Sequence, residues 1–238
     1  MILEIRQLSK SFGSVRAADQ IDLAVAAGEA VGIIGPNGAG KSTLFNLITG
    51  DLKPDAGSIR LKGADITAAP PHLRCHAGIG RSYQIPYPFE NLTVFENCLV
   101  GAVYGRNKRE RDVVDACAAI LERTHLMLRA NDRAGTLTLL ERKRLEMARA
   151  LATAPELLLL DEIAGGLTEG ECAELVDTIR AIHAAGTTIV WIEHVVHALT
   201  QVVQRLVVLN FGKKIAEGEP QAVMRSAEVR EIYTGIAA

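Results

Sequence analysis

A glycine-rich segment between an apolar run and a helical pattern constrains the fold of this chain more than any other feature. The apolar run Ala30–Ile34 has the length of a buried strand and leads directly into Gly35–Thr43. Leu44, Leu47 and Ile48 then recur at helical spacing. The segment matches the pattern Gly-x4-Gly-Lys-[Ser/Thr] between a strand and a helix, the context that this pattern requires. The chain is therefore predicted to fold around a strand, a phosphate-binding loop and a helix.

The residue types of this loop suit a nucleoside triphosphate. Glycines let successive backbone N–H groups turn toward phosphate oxygens, and the helix N-terminus adds a positive dipole. Lys41 can neutralise the outer phosphates, and the Ser42 hydroxyl can reach Mg²⁺. A turn that only caps a helix would explain the glycines but not the Lys-Ser pair. The predicted nucleotide-binding residues of the loop are Gly35, Pro36, Asn37, Gly38, Ala39, Gly40, Lys41, Ser42 and Thr43.

A second motif places two carboxylates at the end of a strand. The run Leu157–Leu160 is followed directly by Asp161 and Glu162. Such a pair can put one acid near Mg²⁺ and the next beside an attacking water. We expect Asp161 to organise the metal through water and Glu162 to polarise the nucleophile. An Asp-Glu pair alone is often a solvated strand end, but together with the glycine loop it becomes a specific signal.

The remaining patterns predict an α/β fold. Strands alternate with helical stretches, which favours a mostly parallel sheet covered on both faces. The predicted strands are Leu3–Leu8, Ile21–Val25, Ala30–Ile34, Gly57–Leu61, Ile79–Gln84, Leu157–Asp161, Thr188–Glu193 and Arg205–Asn210. Ser9–Gln20 resembles a turn region, and a change of texture predicts a helical insertion over approximately residues 85–150. We expect residues 1–238 to form one domain, with an antiparallel β subdomain at the N-terminus.

Composition excludes several classes of function. The formal charge of −2 and the absence of a basic block argue against nucleic-acid binding. Apolar runs stop well short of the ~20 residues of a membrane-spanning helix, and the first residues do not resemble a secretion signal. The scattered cysteines indicate free thiols of the cytosol. His72, Cys75 and His76 lack the spacing of metal-ligand pairs, so we expect them to be structural.

With these motifs in place, the chain resembles the nucleotide-binding subunits of ABC transporters over essentially its whole length. The resemblance implies ATP as substrate and a P-loop NTPase core. It gives Gln84 a position at the joint between core and insertion, where the family's glutamine contacts Mg²⁺ and senses the γ-phosphate. His194 corresponds to the switch histidine that binds the γ-phosphate. Phe12 corresponds to the aromatic residue that stacks on adenine, although it could instead belong to a small satellite core.

Two segments depart from the family pattern. The Leu-Ser-Gly-Gly-Gln signature is replaced by Leu137-Thr138-Leu139-Leu140-Glu141. The family signature contacts the γ-phosphate held by the opposite subunit of a head-to-tail dimer. Thr138 keeps a hydroxyl, but we expect Leu140 to obstruct close approach and Glu141 to repel phosphate. Arg142 or Lys143 could offset the charge of Glu141.

The second departure follows the carboxylate pair. The family's Ser-Ala-Leu-Asp is replaced by Gly165-Gly166-Leu167-Thr168, so the dimer-contacting aspartate is missing. Thr168 and Glu171 have the spacing of a helix capping box. Together the departures predict a heterodimer, in which the intact Lys41, Asp161 and Glu162 face the signature of a different chain.

The finer resemblance is to the ATPases of branched-chain amino acid uptake, with urea uptake ATPases as close competitors. It rests on Ser82-Tyr83-Gln84, on Leu92–Asn97, on Ala164–Leu167 and on Gly212–Gly218. It implies a second ATPase chain, two membrane permeases, a solute-binding protein and a peripheral position at the cytoplasmic face of the inner membrane. A groove near Gln84 and 87–90 would receive a permease helix, with Phe89 and Phe95 either docking or filling the insertion core. Rival functions are a non-transport ABC ATPase, a regulatory subunit that clamps ATP with weak hydrolysis, and, more distantly, a P-loop kinase.

Overall fold

The fold consists of two sheets, a set of helices around the larger one, and a helical insertion. It is seen in a computed structural model that describes residues 1–234. The strands are β1 (Leu3–Phe12), β2 (Val15–Val25), β3 (Ala30–Ile34), β4 (Ala56–Leu61), β5 (Ala64–Asp65), β6 (Ile79–Ser82), β7 (Leu157–Asp161), β8 (Thr188–Ile192), β9 (Arg205–Asn210) and β10 (Lys213–Gly218). The helices are α1 (Lys41–Thr49), α2 (Pro71–His76), α3 (Val94–Arg106), α4 (Val114–Arg123), α5 (Leu139–Ala152), α6 (Glu169–Ala184), α7 (Val196–Thr200), α8 (Pro220–Arg225) and α9 (Ala227–Thr234).

The larger sheet has the strand order β10-β9-β3-β8-β7-β6. Its strands run parallel except for the edge strand β10, which pairs antiparallel with β9. The smaller sheet has the order β2-β1-β4-β5 and is antiparallel throughout. The predicted α/β class, with a mostly parallel sheet and an N-terminal antiparallel subdomain, is therefore confirmed.

Side chains of the central strands point alternately to the two faces of the larger sheet, and both faces are covered. Every residue of β3, β7 and β8 is buried. Leu157 and Leu159 pack into a core shared with α1 and the antiparallel sheet, whereas Leu158 and Leu160 pack into a core shared with α6 and α7. Successive side chains of a strand point to opposite faces, so an unbroken leucine run can fill two cores at once.

The insertion has a third core of its own, formed by α3, α4 and one face of α5. Buried residues at its centre include Cys98, Cys117 and Leu145. The helix α3 begins at Thr93, whose hydroxyl accepts a hydrogen bond from the Glu96 N–H in a capping box. Because α5 also packs on the parallel sheet, it joins the insertion to the strand that ends in Asp161.

Several predicted boundaries differ from the structure. The prediction of a turn over Ser9–Gln20 was wrong, because β1 and β2 continue to the pair Phe12 and Val15 and leave a two-residue turn. These strand ends are partly exposed and carry shifts of register, so they lack a regular apolar alternation. The last predicted strand before the insertion ends at Ser82 rather than Gln84. Of the C-terminal helical segment 220–238, the final four residues lie outside the described part of the chain.

Within residues 1–234 no helix is both long enough and apolar enough to cross a lipid bilayer.

Candidate nucleotide-binding site

The functional side chains that the sequence predicts follow neighbouring parallel strands. The glycine loop follows β3, Glu162 follows β7, His194 follows β8, and Gln84 follows β6. In open α/β sheets the carboxyl ends of parallel strands share one edge, where ligands bind. A cleft of about 410 Å³ at this edge is lined by the loop residues from Asn37 to Thr43 together with Gln84 and Glu162.

The glycine loop has a backbone that other residue types would disturb. Gly40 has φ 100°, and a Cβ at this position would lie 2.1 Å from the carbonyl oxygen of Ala17. Lys41 begins α1, and its buried Nζ donates hydrogen bonds to the carbonyl oxygens of Gly35 at 2.8 Å and Pro36 at 3.2 Å. Burial lowers the pKa of Lys41, while the nearby carboxylates of Glu162 and Asp161 oppose this shift. The Lys41 ammonium is thus held beside the glycine loop by two carbonyl oxygens, and phosphate oxygens could replace these as acceptors.

The Glu162 side chain, in the loop after β7, contacts side chains of the loops that follow β6 and β8. Its Oε1 lies 2.7 Å from His194 Nε2, and its Oε2 accepts a hydrogen bond from Gln84 Nε2. Its φ of 47° is in the left-handed region, which is uncommon for a residue with a Cβ. The Glu162 N–H donates to the Ile192 carbonyl at 2.8 Å, and its own carbonyl accepts from Lys143 Nζ at 3.4 Å. These contacts therefore hold the Glu162 backbone in a strained conformation, with the carboxylate lining the cleft.

Asp161 is almost fully buried beside Glu162, and its two oxygens have different surroundings. Its Oδ2 accepts a hydrogen bond from Arg81 Nη2 at 2.7 Å. Its Oδ1 has no hydrogen-bond partner among residues 1–234. Burial raises the pKa of Asp161, and Arg81 opposes the shift. A buried carboxylate oxygen without a partner fits a water molecule on Mg²⁺, because Mg²⁺ prefers oxygen ligands and keeps several waters.

The remaining predicted residues lie at the rim. Ser42 lines the cleft, as does Val15 of the β1–β2 hairpin. Phe12 ends β1, is 48% exposed, and has the Lys10 ammonium 5.8 Å from its ring centre. It contributes to none of the buried clusters of the described chain, which leaves its ring available for stacking.

Sequence reasoning missed Glu193, a carboxylate that links two of the loops. Glu193 is 1% exposed. Its Oε1 accepts a hydrogen bond from the Ala164 N–H at 2.6 Å, and its Oε2 accepts one from the His194 N–H at 3.0 Å. Burial raises the pKa of Glu193, and these backbone donors oppose the shift. The sequence feature that could have identified Glu193 is its position as a charged residue directly after the apolar strand Thr188–Ile192.

We predict that Glu193→Gln lowers both stability and turnover. The amide has a single acceptor oxygen, so its NH₂ group must face one of the two backbone donors. Leaving such a donor unpaired costs about 1–3 kcal/mol, and the displaced backbone carries His194 with it. Chemical denaturation and steady-state ATPase assays should both show the loss.

Glu29→Gln is the matched control for this prediction. Glu29 is a half-buried carboxylate that accepts hydrogen bonds from the Ala26 N–H at 2.8 Å and from Arg205 Nε at 2.7 Å, at the end of β3 away from the glycine loop. It should lose stability without a change in turnover per folded molecule. Equal losses of turnover in both variants would contradict a specific role for Glu193.

The segment that replaces the family signature begins α5. Thr138 caps the helix, accepting a hydrogen bond from the Glu141 N–H at 3.3 Å, while the Glu141 carboxylate accepts from the Thr138 N–H. The expectation for Leu140 was wrong: its side chain is 8% exposed and packs into a core, because it lies on the inner face of α5. Leu139 is the exposed residue, at 44%, and lies against Gly166.

The charge of Glu141 is balanced differently from the prediction. Arg129 Nε lies 3.2 Å from Glu141 Oε1. Arg142 instead donates to the carbonyl oxygens of Leu137 and Gly135, and Lys143 points to the carbonyl of Glu162. The prediction that Arg142 or Lys143 offsets the charge of Glu141 was therefore wrong, because both side chains donate hydrogen bonds to backbone carbonyls of loops instead.

The predicted cap of α6 is confirmed. The Thr168 hydroxyl accepts from the Glu171 N–H at 3.3 Å, and the Glu171 carboxylate accepts from the Thr168 N–H at 2.9 Å. The reciprocal bonds satisfy two donors that would otherwise be free at the start of the helix. They hold the end of the loop that follows Glu162.

Comparison with known proteins agrees with this geometry. Residues 18–165 match the family model described as ABC transporter. The high-affinity branched-chain amino acid transport ATP-binding protein BraF of Pseudomonas aeruginosa is 34% identical, with 98% of both chains covered. The corresponding protein LivG of Escherichia coli is also 34% identical, with the same coverage.

Solved structures give the same result. The ADP conformation of an ATP-binding cassette from an ABC transporter superposes with a TM-score of 0.90 at 34% identity, covering 99% of both chains. A nucleotide-free cassette from an ABC transporter superposes with a TM-score of 0.89 at 33% identity, covering 98% of both chains. The chain belongs to the ABC transporter family and is one of its nucleotide-binding ATPases.

Proposed function

We propose that this chain is the ATP-hydrolysing subunit of an importer for branched-chain amino acids. Residues 1–238 act as a single ABC-type ATPase domain, with a helical insertion over approximately residues 85–150. The observation that carries the proposal is the contact of Glu162 with Gln84 and His194 beside the Lys41 loop. The solute class is supported by the names of BraF and LivG, which match nearly the full chain.

The predicted site residues divide between binding ATP and hydrolysing it. The loop from Gly35 to Thr43 surrounds the phosphates, and Lys41 neutralises the charge that develops on the transferred group. Glu162 orients the attacking water, and His194 senses the γ-phosphate through the same carboxylate. Phe12 stacks on the adenine.

The same residues provide a site for Mg²⁺. Ser42, Gln84 and the free oxygen of Asp161 would hold the ion, the aspartate through water. When bound, Mg²⁺ would neutralise negative charge on the phosphates. The absence of a hydrogen-bond partner for Asp161 Oδ1 among residues 1–234 supports this assignment.

The partners are a second ATPase chain, two membrane permeases and, indirectly, a solute-binding protein. The chain is then peripheral, at the cytoplasmic face of the inner membrane. A permease helix docks in a groove of about 350 Å³ between the core and the insertion, lined by Tyr83, Phe89 and Arg149. Phe89 is 47% exposed with the Arg149 guanidinium 5.1 Å from its ring centre, whereas Phe95 packs against the insertion core. Of the two aromatics, Phe89 is therefore the docking residue.

Purification of the tagged chain from native membranes in mild detergent tests this assembly. Mass spectrometry of the eluate should identify a second ATPase chain and two polytopic permeases, and the eluate should hydrolyse ATP. Recovery of soluble partners alone, or of a homodimer alone, would overturn the importer and indicate a non-transport ABC ATPase.

The exposed Leu139 leads to a prediction about the second ATP site of the dimer. That site combines the partner's glycine loop with this chain's segment 137–141, where a leucine side chain keeps the partner's phosphate at a distance. In the assembly carrying Glu162→Gln, which silences this chain's own site, Leu139→Gly should raise the residual turnover several-fold, because glycine permits closer backbone approach. Steady-state ATPase assays of the purified assembly measure it.

Leu140→Gly serves as the control. Leu140 is buried, so its truncation should destabilise the chain by about 2–5 kcal/mol and leave the residual turnover per folded assembly unchanged. If Leu139→Gly gives no increase, the weak second site does not arise from this side chain.

A further inference from the structure

Arg81 is a buried cation in direct contact with the carboxylate that would organise the metal. It lies in the middle of β6, and its side chain is only 7% exposed. Arg81 Nη2 is 2.7 Å from Asp161 Oδ2, while Asp161 Oδ1 has no partner among the described residues. One oxygen of the carboxylate is thus fixed and the other is free. We propose that Arg81 is a positioning residue that sets the rotation of Asp161 so that Oδ1 faces the metal-bound water.

The geometry around the guanidinium fixes its plane. Arg81 Nη1 donates to Asn46 Oδ1 at 2.6 Å, and Asn46 lies on α1, the helix that begins with Lys41. The guanidinium also lies 4.7 Å from the ring centre of Tyr83 and 5.6 Å from that of Phe45. A planar, delocalised cation suits this environment because it can stack on rings and donate along fixed directions at the same time.

Through these contacts Arg81 can orient Asp161 as well as neutralise its charge. It ties the end of β7 to α1, so Asp161 moves with the helix that carries Lys41 and Ser42. A point charge could neutralise Asp161, but it could not hold both Asp161 and Asn46 in one plane. Partners that orient groups around a metal typically change metal affinity by about 10- to 100-fold when they are removed.

The test measures metal binding rather than hydrolysis, with Mn²⁺ in place of Mg²⁺. The ADP-saturated chain is titrated with Mn²⁺ and followed by electron paramagnetic resonance. Arg81→Met should weaken Mn²⁺ binding by about 10-fold or more, while ADP affinity in EDTA changes less than about twofold. Arg81→Lys keeps the buried charge and should still lose about 3- to 10-fold.

Arg74→Met is the matched control. Arg74 is also a buried arginine and, like Arg81, lines the groove between the core and the insertion, but it donates to backbone carbonyls, among them those of Leu47 and Ile48 at 2.7 and 2.9 Å. Its loss should lower the unfolding temperature and leave the Mn²⁺ affinity of the folded chain unchanged. Thermal unfolding of all three variants separates folding defects from metal binding.

The inference rests on the proposed ATP site, and the outcomes separate the two. If the wild-type chain binds no ADP in EDTA, the nucleotide site itself fails. If ADP binds normally but Arg81→Met or Arg81→Lys, once folded, binds Mn²⁺ as tightly as the wild type, Arg81 does not position Asp161. Arg81→Lys also keeps the proposal testable if Arg81→Met fails to fold.

Discussion

Replacing Glu162 by glutamine is expected to lower the rate of ATP hydrolysis by about 10²- to 10⁴-fold, the usual contribution of a positioned general base. The amide can keep the contacts of Glu162 with Gln84 and His194, but it cannot accept a proton from the attacking water. ATP affinity should therefore remain close to that of the wild type. Turnover of the purified assembly, together with equilibrium ATP binding, measures both quantities.

Glu169→Gln is the control for this variant. Glu169 is an exposed carboxylate in the first turn of α6, seven residues from Glu162, so its neutralisation changes local charge without reaching the cleft. It should hydrolyse ATP at the wild-type rate. Wild-type turnover in Glu162→Gln would show that hydrolysis takes place elsewhere, in the partner chain's site.

Replacing Lys41 by methionine is expected to lower ATP affinity by roughly 10- to 100-fold. Hydrogen bonds to charged groups contribute about 1.5–3 kcal/mol, and each 1.4 kcal/mol is a factor of ten in affinity. Methionine has a similar length but carries no charge, so the helix α1 should still form. Fluorescent nucleotide binding to the purified chain measures the change.

Lys53→Met, at an exposed position outside the cleft, should bind ATP as the wild type does. The circular dichroism spectra of both variants should match that of the wild type. Unchanged ATP affinity in a folded Lys41→Met variant would contradict the assignment of the glycine loop as the phosphate site.

The sequence predicts the centre of the site because each element there has a strong local signal. The strand Ala30–Ile34, the glycine loop and the leucine run before Asp161 are contiguous motifs, and the parallel sheet places their ends together. Side-chain networks formed across strands have no such signal. Arg81 and Glu193 are single charges in or after apolar strands, and only the fold brings Arg81 to Asp161 and Glu193 to the backbone of Ala164.

The errors at the segment 137–141 have a similar origin. Two successive leucines at the start of a helix point in different directions, and which of them faces inward depends on the phase of α5 against the sheet. The structure turns Leu140 inward and leaves Leu139 exposed, so the obstruction lies one residue earlier than expected. Likewise, Glu141 pairs with Arg129, twelve residues away, because the insertion folds back onto the start of α5.

Measurements of uptake in cells can show whether ATP hydrolysis by this chain drives the import of branched-chain amino acids. Initial rates of radiolabelled leucine and urea uptake are compared in cells that lack the gene and in cells complemented with wild type or Glu162→Gln. We expect that the wild type restores leucine uptake, that Glu162→Gln does not, and that urea uptake stays unchanged. Leucine uptake that is independent of the gene, or restored equally by both forms, would contradict it.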